Sequence, residues 1–247
     1  MEVHAHTHTP RKKWTHYLWE FLMLFLAVFC GFLAENQREH IVEHKREKEY
    51  MKSMLEDLKH DTLEFQKSIR FLNEYHIPVL NKSALLLFSE DFSDSTIRAM
   101  YDIVPRATQF FSVIFQENTV TQLKNSGNLR LIRNKTLVDS LNQYWNACEN
   151  FKDPFQTSFE KTRFSAKELL FSLFNYKNLT GLGTGSTIRK GVVLKLLSKD
   201  KEQFIKLGNY LSNLKDILSF TALSRLTNLD REATSLIIFI KKEYKLK

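Results

Sequence analysis

Proline, glycine and paired cysteine are what this sequence has least of. Four prolines, seven glycines and two cysteines are spread over 247 residues. Cys148 stands alone in the long C-terminal part, so no intrachain disulfide framework exists there and the core must hold the fold. So few helix breakers exclude a strand-and-turn architecture, and apolar residues recur at helical spacing nearly throughout. The fold class read from this pattern is all-α. Also missing are HExxH, GxSxG and paired-cysteine metal spacing. The sequence therefore nominates no catalytic residue, no metal site and no cofactor, and the chain is read as a non-enzyme. A long basic block is absent as well. The net charge of +8 comes from Lys and Arg interleaved with acids. Nucleic acid is thus not an expected partner; a solvated surface favouring anionic lipid or cell-envelope polymers is.

What the sequence does have is one long hydrophobic run, WTHYLWEFLMLFLAVFCGFLA, from Trp14 to Ala34. Phe21 to Ala34 alone is too short for a bilayer, but the full run spans about 31 Å as a helix, the thickness of the hydrocarbon core. This extension places Glu20 in the membrane. Nine Leu, Phe or Val residues between Phe21 and Leu33 favour insertion by about 4 kcal/mol in total. A central acid costs about 2.5 to 3.5 kcal/mol and Glu20 is off centre, so the apolar run wins. Trp14, Tyr17 and Trp19 form an interfacial aromatic belt, with Arg11, Lys12 and Lys13 as the basic edge. A cleaved signal peptide needs small residues at −3 and −1. Phe32 before Ala34, and Phe29 before Gly31, break that rule, and Phe29 is too bulky before Cys30 for a lipoprotein site. An uncleaved anchor is expected. The three basic residues before the span orient the N-terminus to the cytoplasm and the large domain to the periplasm.

The expected organisation is a cytoplasmic tail (1–13), a transmembrane helix (14–34), a long juxtamembrane helix (35–77) and a helical bundle (78–247). No Pro or Gly lies between Phe32 and Ile77, so one rod runs to Pro78. Along it Met51, Leu55, Leu58, Phe65, Ile69 and Leu72 follow a heptad, with Thr62 its polar member. That seam fits either a coiled coil between subunits or packing on the chain's own domain. Beyond Pro78 the pattern predicts helices over Val79–Ser89 and Ser95–Val104, the latter capped by Asp94 or Ser95. Gln109–Phe115 is ambiguous between strand and buried helix. Asn118–Asn125 reads as a helix stopped at Gly127, and Asn134 as the cap of a helix through Asn150. Pro154 is expected to kink or restart it before Phe155–Phe174. Asn175–Ser186 is the longest expected loop. Asp200 opens a helix pair reaching Tyr244, with a kink near Asn228.

The membrane helix has two unlike faces. At about 100° per residue, His16, Glu20, Ala27, Gly31 and Ala34 fall within a sector of about 60°. Ala27-xxx-Gly31 lets another backbone approach closely, and Glu20 needs a partner, for which His16 one turn earlier is the best local choice. This face is expected to meet a second copy or another membrane protein. Glu35, Glu39, Glu43 and Glu47 repel one another slightly at four-residue steps, offset by Arg38 and Arg46. His4, His6 and His8 alternate in a tail read as unstructured. GLGTGS, from Gly181 to Ser186, lacks the GK[ST] of a phosphate loop and is read as a flexible loop.

RKKWTHYLWEFLMLFLAVFCGFLAENQREH, KREKEYMKSMLEDLKHDT and QLKNSGNLRLI together resemble a bacterial membrane-protein family known only as a domain of unknown function. The resemblance is strongest over Arg11–Thr62 and Gln122–Ile132. It implies a Gram-negative inner-membrane protein with one anchor, and it brings no ligand or catalytic residue. Within QLKNSGNLRLI, Gly127 is read as a structural turn, with Leu129, Leu131 and Ile132 entering the core. The expected role is a non-enzymatic scaffold or accessory subunit with the lipid bilayer, its own copies or another membrane protein as partners. Two alternatives stand beside it. One is a proton-coupled energy-transducing subunit using Glu20. The other is a ligand-sensing bundle whose Phe110, Phe111, Phe115, Tyr144 and Trp145 line a pocket; which small molecule it would take is left open.

Overall fold

A computed structural model describes residues 14–181 and 186–246, and these are mostly helical, with two short strands. The expectations for Arg11, Lys12, Lys13, the three tail histidines and residues 182–185 of the GLGTGS stretch lie outside the described residues. The chain divides into two compact units, Met1–Glu49 and Tyr50–Lys247.

In the first unit, α1 (Trp14–Phe71) begins. Every residue from 14 to 41 is exposed. Among the described residues one helical run, Trp14–Phe88, is long and apolar enough to cross a membrane; its best window has a mean hydropathy of 2.0 and none of it is buried. Rings at four-residue spacing stack along its surface, Phe21 on Phe25 and Phe25 on Phe29, with centroids 6.4 and 5.9 Å apart. In the following acidic stretch side chains three residues apart meet, and the Arg38–Glu35 ion pair offsets part of the repulsion. Arg38 Nε donates to Glu35 at 2.9 Å, His40 stands 3.9 Å from Glu43, and His44 lies 3.1 Å from Glu47.

In the second unit, the rest of α1 enters a core shared by all the longer helices. Met51, Leu55, Leu58, Phe65 and Leu72 are buried and Ile69 is packed against them. The heptad seam is thus filled by this chain's own residues. The rod does not end at Pro78. A wide π turn, Leu72–His76, joins α1 to α2 (Ile77–Phe88), and the Ile77 N–H bonds to the Leu72 carbonyl five residues back. Pro78 sits in the first turn of α2, where its missing N–H costs little.

After α2, α3 covers Asp94–Ala107 and is capped one residue earlier than the pattern predicted. Ser93 Oγ accepts from the Thr96 N–H, because Asp91 accepts from the Ser93 backbone and hydroxyl and fixes the turn before it. Residues 109–117 are neither helix nor paired strand. They alternate, with Phe111 and Phe115 buried and Phe110 and Ile114 exposed. Two carboxylates one turn apart on α1 hold this stretch in place of a ladder: Asp61 accepts from the Gln116 N–H at 2.8 Å and Asp57 from the Thr119 N–H at 3.1 Å. Asp57 thereby satisfies a free donor in the first turn of α4 (Asn118–Asn125), which has no side-chain cap of its own.

Gly127 follows α4 with φ +65°, a left-handed conformation that glycine reaches without strain. A short 3₁₀ turn (Asn128–Leu131) leads to Asn134, whose side chain accepts from the Leu137 N–H and caps α5 (Lys135–Leu173). α5 is one helix across position 154, not two. Phe151, Phe155 and Phe159 lie one turn apart on it, stack at 5.0 and 5.6 Å, and are all buried, which commits that stretch to a single helical face. The expected loop after α5 contains a 3₁₀ turn (Tyr176–Asn178) and two strands, β1 (Leu179–Thr180) and β2 (Thr187–Ile188). They pair antiparallel, with Leu179 opposite Ile188. Asp200 caps α6 (Lys201–Asp216), which runs through a second π turn (Ile217–Ala222) into α7 (Leu223–Tyr244). The irregularity lies there and not near Asn228, which falls inside α7. α2 packs on α6 and α3, and α5 packs on α6 and α7. At one crossing the chain requires glycine: a Cβ on Gly208 of α6 would stand 2.6 Å from the Phe88 ring of α2.

Candidate functional site

Three places gather the residues with chemistry, one in the first unit and two in the second. On α1, His16 Nε2 lies 3.0 Å from Glu20 Oε1, with both side chains about half exposed. The helix repeat puts them one turn apart on the face that also carries Ala27, Gly31 and Ala34. A Cβ on Gly31 would meet nothing within 4 Å, so that stripe is open along its length. Trp14, Tyr17 and Trp19 are exposed at the start of the helix.

In the second unit, the C-terminal end of α3 presents carbonyls that buried side chains satisfy. His76 Nε2 donates to the Ala107 carbonyl at 3.3 Å, and Arg163 Nη1 donates to the Thr108 carbonyl at 3.3 Å. His76 is fully buried beside the Phe71 and Phe159 rings, and burial pulls its pKa down to about 4, so the imidazole is neutral. Arg163, 8% exposed, also donates to Glu160 through Nε and Nη2, and its guanidinium lies 5.8 and 4.8 Å from the Phe110 and Phe164 ring centres. Next to it opens a cavity of about 490 Å³ between the C-terminal end of α3, α5, Tyr176 and the residues Gly181 and Ser186 that flank the strand pair. Arg163 and Lys167 supply its charge, Phe110, Phe171 and Tyr176 its rings, and Gln109 a carboxamide. Gln109 is buried, and neither its amide nitrogen nor its oxygen has a hydrogen-bond partner.

A second polar cluster surrounds a small cavity of about 80 Å³. The Tyr144 hydroxyl donates to Asp61 Oδ2 at 2.7 Å, and Cys148 lies one turn further along α5. Burial raises the Asp61 pKa above the ordinary carboxylate range, outweighing the hydrogen bonds that favour its charge. Burial likewise raises the Tyr144 phenol and pushes the Cys148 thiol up to about 12. Such a thiol is not a nucleophile at neutral pH. The cluster's observed role is to anchor residues 116–119 on α1.

Of the five aromatic residues proposed as one pocket, Phe110 lines the large cavity. Phe115, Tyr144 and Trp145 line the small one, and Phe111 is core. Sequence reading missed Gln109, Arg163 and Lys167. The four-residue step from Arg163 to Lys167, with Phe164 and Phe171 beside it, was the available signal. Among the described residues no three His, Cys, Asp or Glu side chains come together to hold a metal ion.

The described residues are mostly helical, consistent with an all-α class, and among them one helix is fit by length and composition for a membrane. No family model, no curated protein and no solved structure matches the chain.

Proposed function

We propose that the chain is a single-span protein of the bacterial inner membrane, with a periplasmic helical bundle, acting without catalysis as a scaffold or accessory subunit. One observation carries this reading. The fourteen large hydrophobic side chains from Trp14 to Leu33 are all exposed in the folded chain. A core helix of a soluble protein would bury such a face, and water penalises an apolar surface of this extent. Lipid is the solvent that matches it. The aromatic start of the helix supports an interfacial anchor, and the basic residues before it support a cytoplasmic N-terminus. The family resemblance points the same way.

The helix meets its partner through the stripe of His16, Glu20, Ala27, Gly31 and Ala34, where small residues allow close backbone approach and Glu20 with His16 supplies a polar contact. The partner is a second copy or another membrane protein. Washing membranes that contain the full-length chain with alkaline carbonate should leave it in the pellet; release into the supernatant as a monomer overturns the anchor. In-membrane cysteine cross-linking should lose yield in Glu20→Gln and Gly31→Leu. Unchanged yield in both removes the stripe as the contact face.

A further inference from the structure

We propose that the cavity between α3 and α5 binds a small apolar or aromatic molecule carrying one anionic group, a carboxylate or a phosphate. This goes beyond the anchoring role and does not rest on it. The volume of about 490 Å³ falls within the range of small-molecule sites. Its charged lining is of one sign: among the described residues Arg163 and Lys167 line it and no acid does. Glu160 and the Thr108 carbonyl engage three of the five N–H groups of Arg163, so two remain for a ligand oxygen. Among the described residues Lys167 has no carboxylate partner; its ammonium stands 5.7 Å from the centre of the Phe171 ring. It is a cation held in place by a π face, with its hydrogen bonds unspent.

The rest of the lining selects the body of the ligand. Phe171 and Tyr176 meet edge to face at 4.6 Å, and Phe110 and Phe171 are each about half exposed. A flat apolar group gains contact with these rings as it leaves water. Tyr176, whose phenol burial pushes up to about 12, stays a donor at neutral pH. Gln109 adds a carboxamide whose donor and acceptor are both unmet by the protein. Buried polar groups are normally paired, so an unpaired amide in a cavity wall marks a place where something else completes it. A divalent cation is disfavoured here because no carboxylate faces the space. The two head-group chemistries are shared by free acids and phosphate esters, and the test separates them.

The full-length chain in lipid nanodiscs is titrated calorimetrically with 2-naphthoate, 2-naphthyl phosphate and the uncharged 2-naphthol, with empty nanodiscs subtracted. Saturable one-to-one binding of at least one anion is expected, with 2-naphthol at least tenfold weaker. The stronger of the two anions identifies the head group. Lys167→Met should weaken that anion at least tenfold at unchanged far-UV circular dichroism, whereas Lys167→Arg should retain it. If Lys167→Met loses its helical signal, Phe171→Ala takes its place, against Phe220→Ala, which lies elsewhere on the surface, as the neutral control. The proposal is overturned if neither anion saturates, if 2-naphthol binds as well as both anions, or if Lys167→Met and Phe171→Ala bind like the parent chain.

Discussion

Asp61 is the residue whose removal should tell most about how this fold is held. It is 2% exposed and accepts two hydrogen bonds, from the Gln116 N–H at 2.8 Å and from the Tyr144 hydroxyl at 2.7 Å. Asp61→Ala leaves both donors in the core without an acceptor. At roughly 1 to 3 kcal/mol for each unmet group, the loss is about 2 to 6 kcal/mol. Asp61→Asn keeps the carbonyl oxygen for Gln116 and leaves only the Tyr144 hydroxyl to re-pair, so it should cost less than Asp61→Ala. The pH dependence separates charge from shape. Burial raises the folded-state pKa above the ordinary value of 3.8. Between those two values the folded chain holds a proton that the unfolded chain has released, so stability from this site falls as pH rises through that window and is flat above it. Asn cannot titrate, so the gap between Asp61→Asn and the parent should move in favour of Asn as pH rises. Urea unfolding of the full-length chain in a non-ionic detergent, followed by far-UV circular dichroism from pH 4 upward, measures both effects. The account of Asp61 as a buried double acceptor whose pKa is raised fails if Asp61→Asn unfolds as readily as Asp61→Ala, or if the parent and Asn curves run parallel.

His76 should act in the opposite sense. Its folded pKa of about 4 lies below the ordinary histidine value of 6.5, so its contribution is intact at neutral pH and is lost as pH falls from 6.5 toward 4, by roughly 3 kcal/mol; His76→Gln should lack this slope in the same titration. Asn134→Ala removes the acceptor for the Leu137 N–H and should cost about 1 kcal/mol, and Gly127→Ala should cost about 1 to 2 kcal/mol through its positive φ, both read as shifts in urea midpoint. In a Cys30→Ser background, Cys148 should react with a maleimide only after urea unfolding, since the thiol is buried and held protonated; labelling at the same rate in the folded chain would show that α5 opens there.

Much of the helical layout was legible because its signals are local. Asn134 and Asp200 each present an acceptor to the N–H two or three residues ahead, so helix starts could be placed from sequence. The Ser93 cap was missed because Asp91 and Thr96 decide it together, through a turn that no single residue announces. Residues 109–117 defied assignment for a different reason. Their alternation is that of a strand, but Gln116 is tied to Asp61, 55 residues earlier, and Thr119 just beyond the stretch is tied to Asp57. The cavity was illegible for the same cause: Gln109 and Lys167, 58 residues apart, line one space only in the folded chain. The His16–Glu20 contact, by contrast, follows from helical spacing alone.

The two π turns left a trace in the sequence that the usual reading overlooks. Leu72, His76, Leu80 and Ala84 are buried at three successive steps of four, and so are Leu214, Leu218, Ala222 and Leu226. A plain α-helix would alternate threes and fours to keep one side inward. Each wide turn therefore stores one residue beyond what an ordinary helix of the same rise would need. A chain shortened by a single residue within 72–76, or within 217–222, would close up to regular winding with its inward side chains still in line. At these two points the protein can shed a residue without rebuilding its interior.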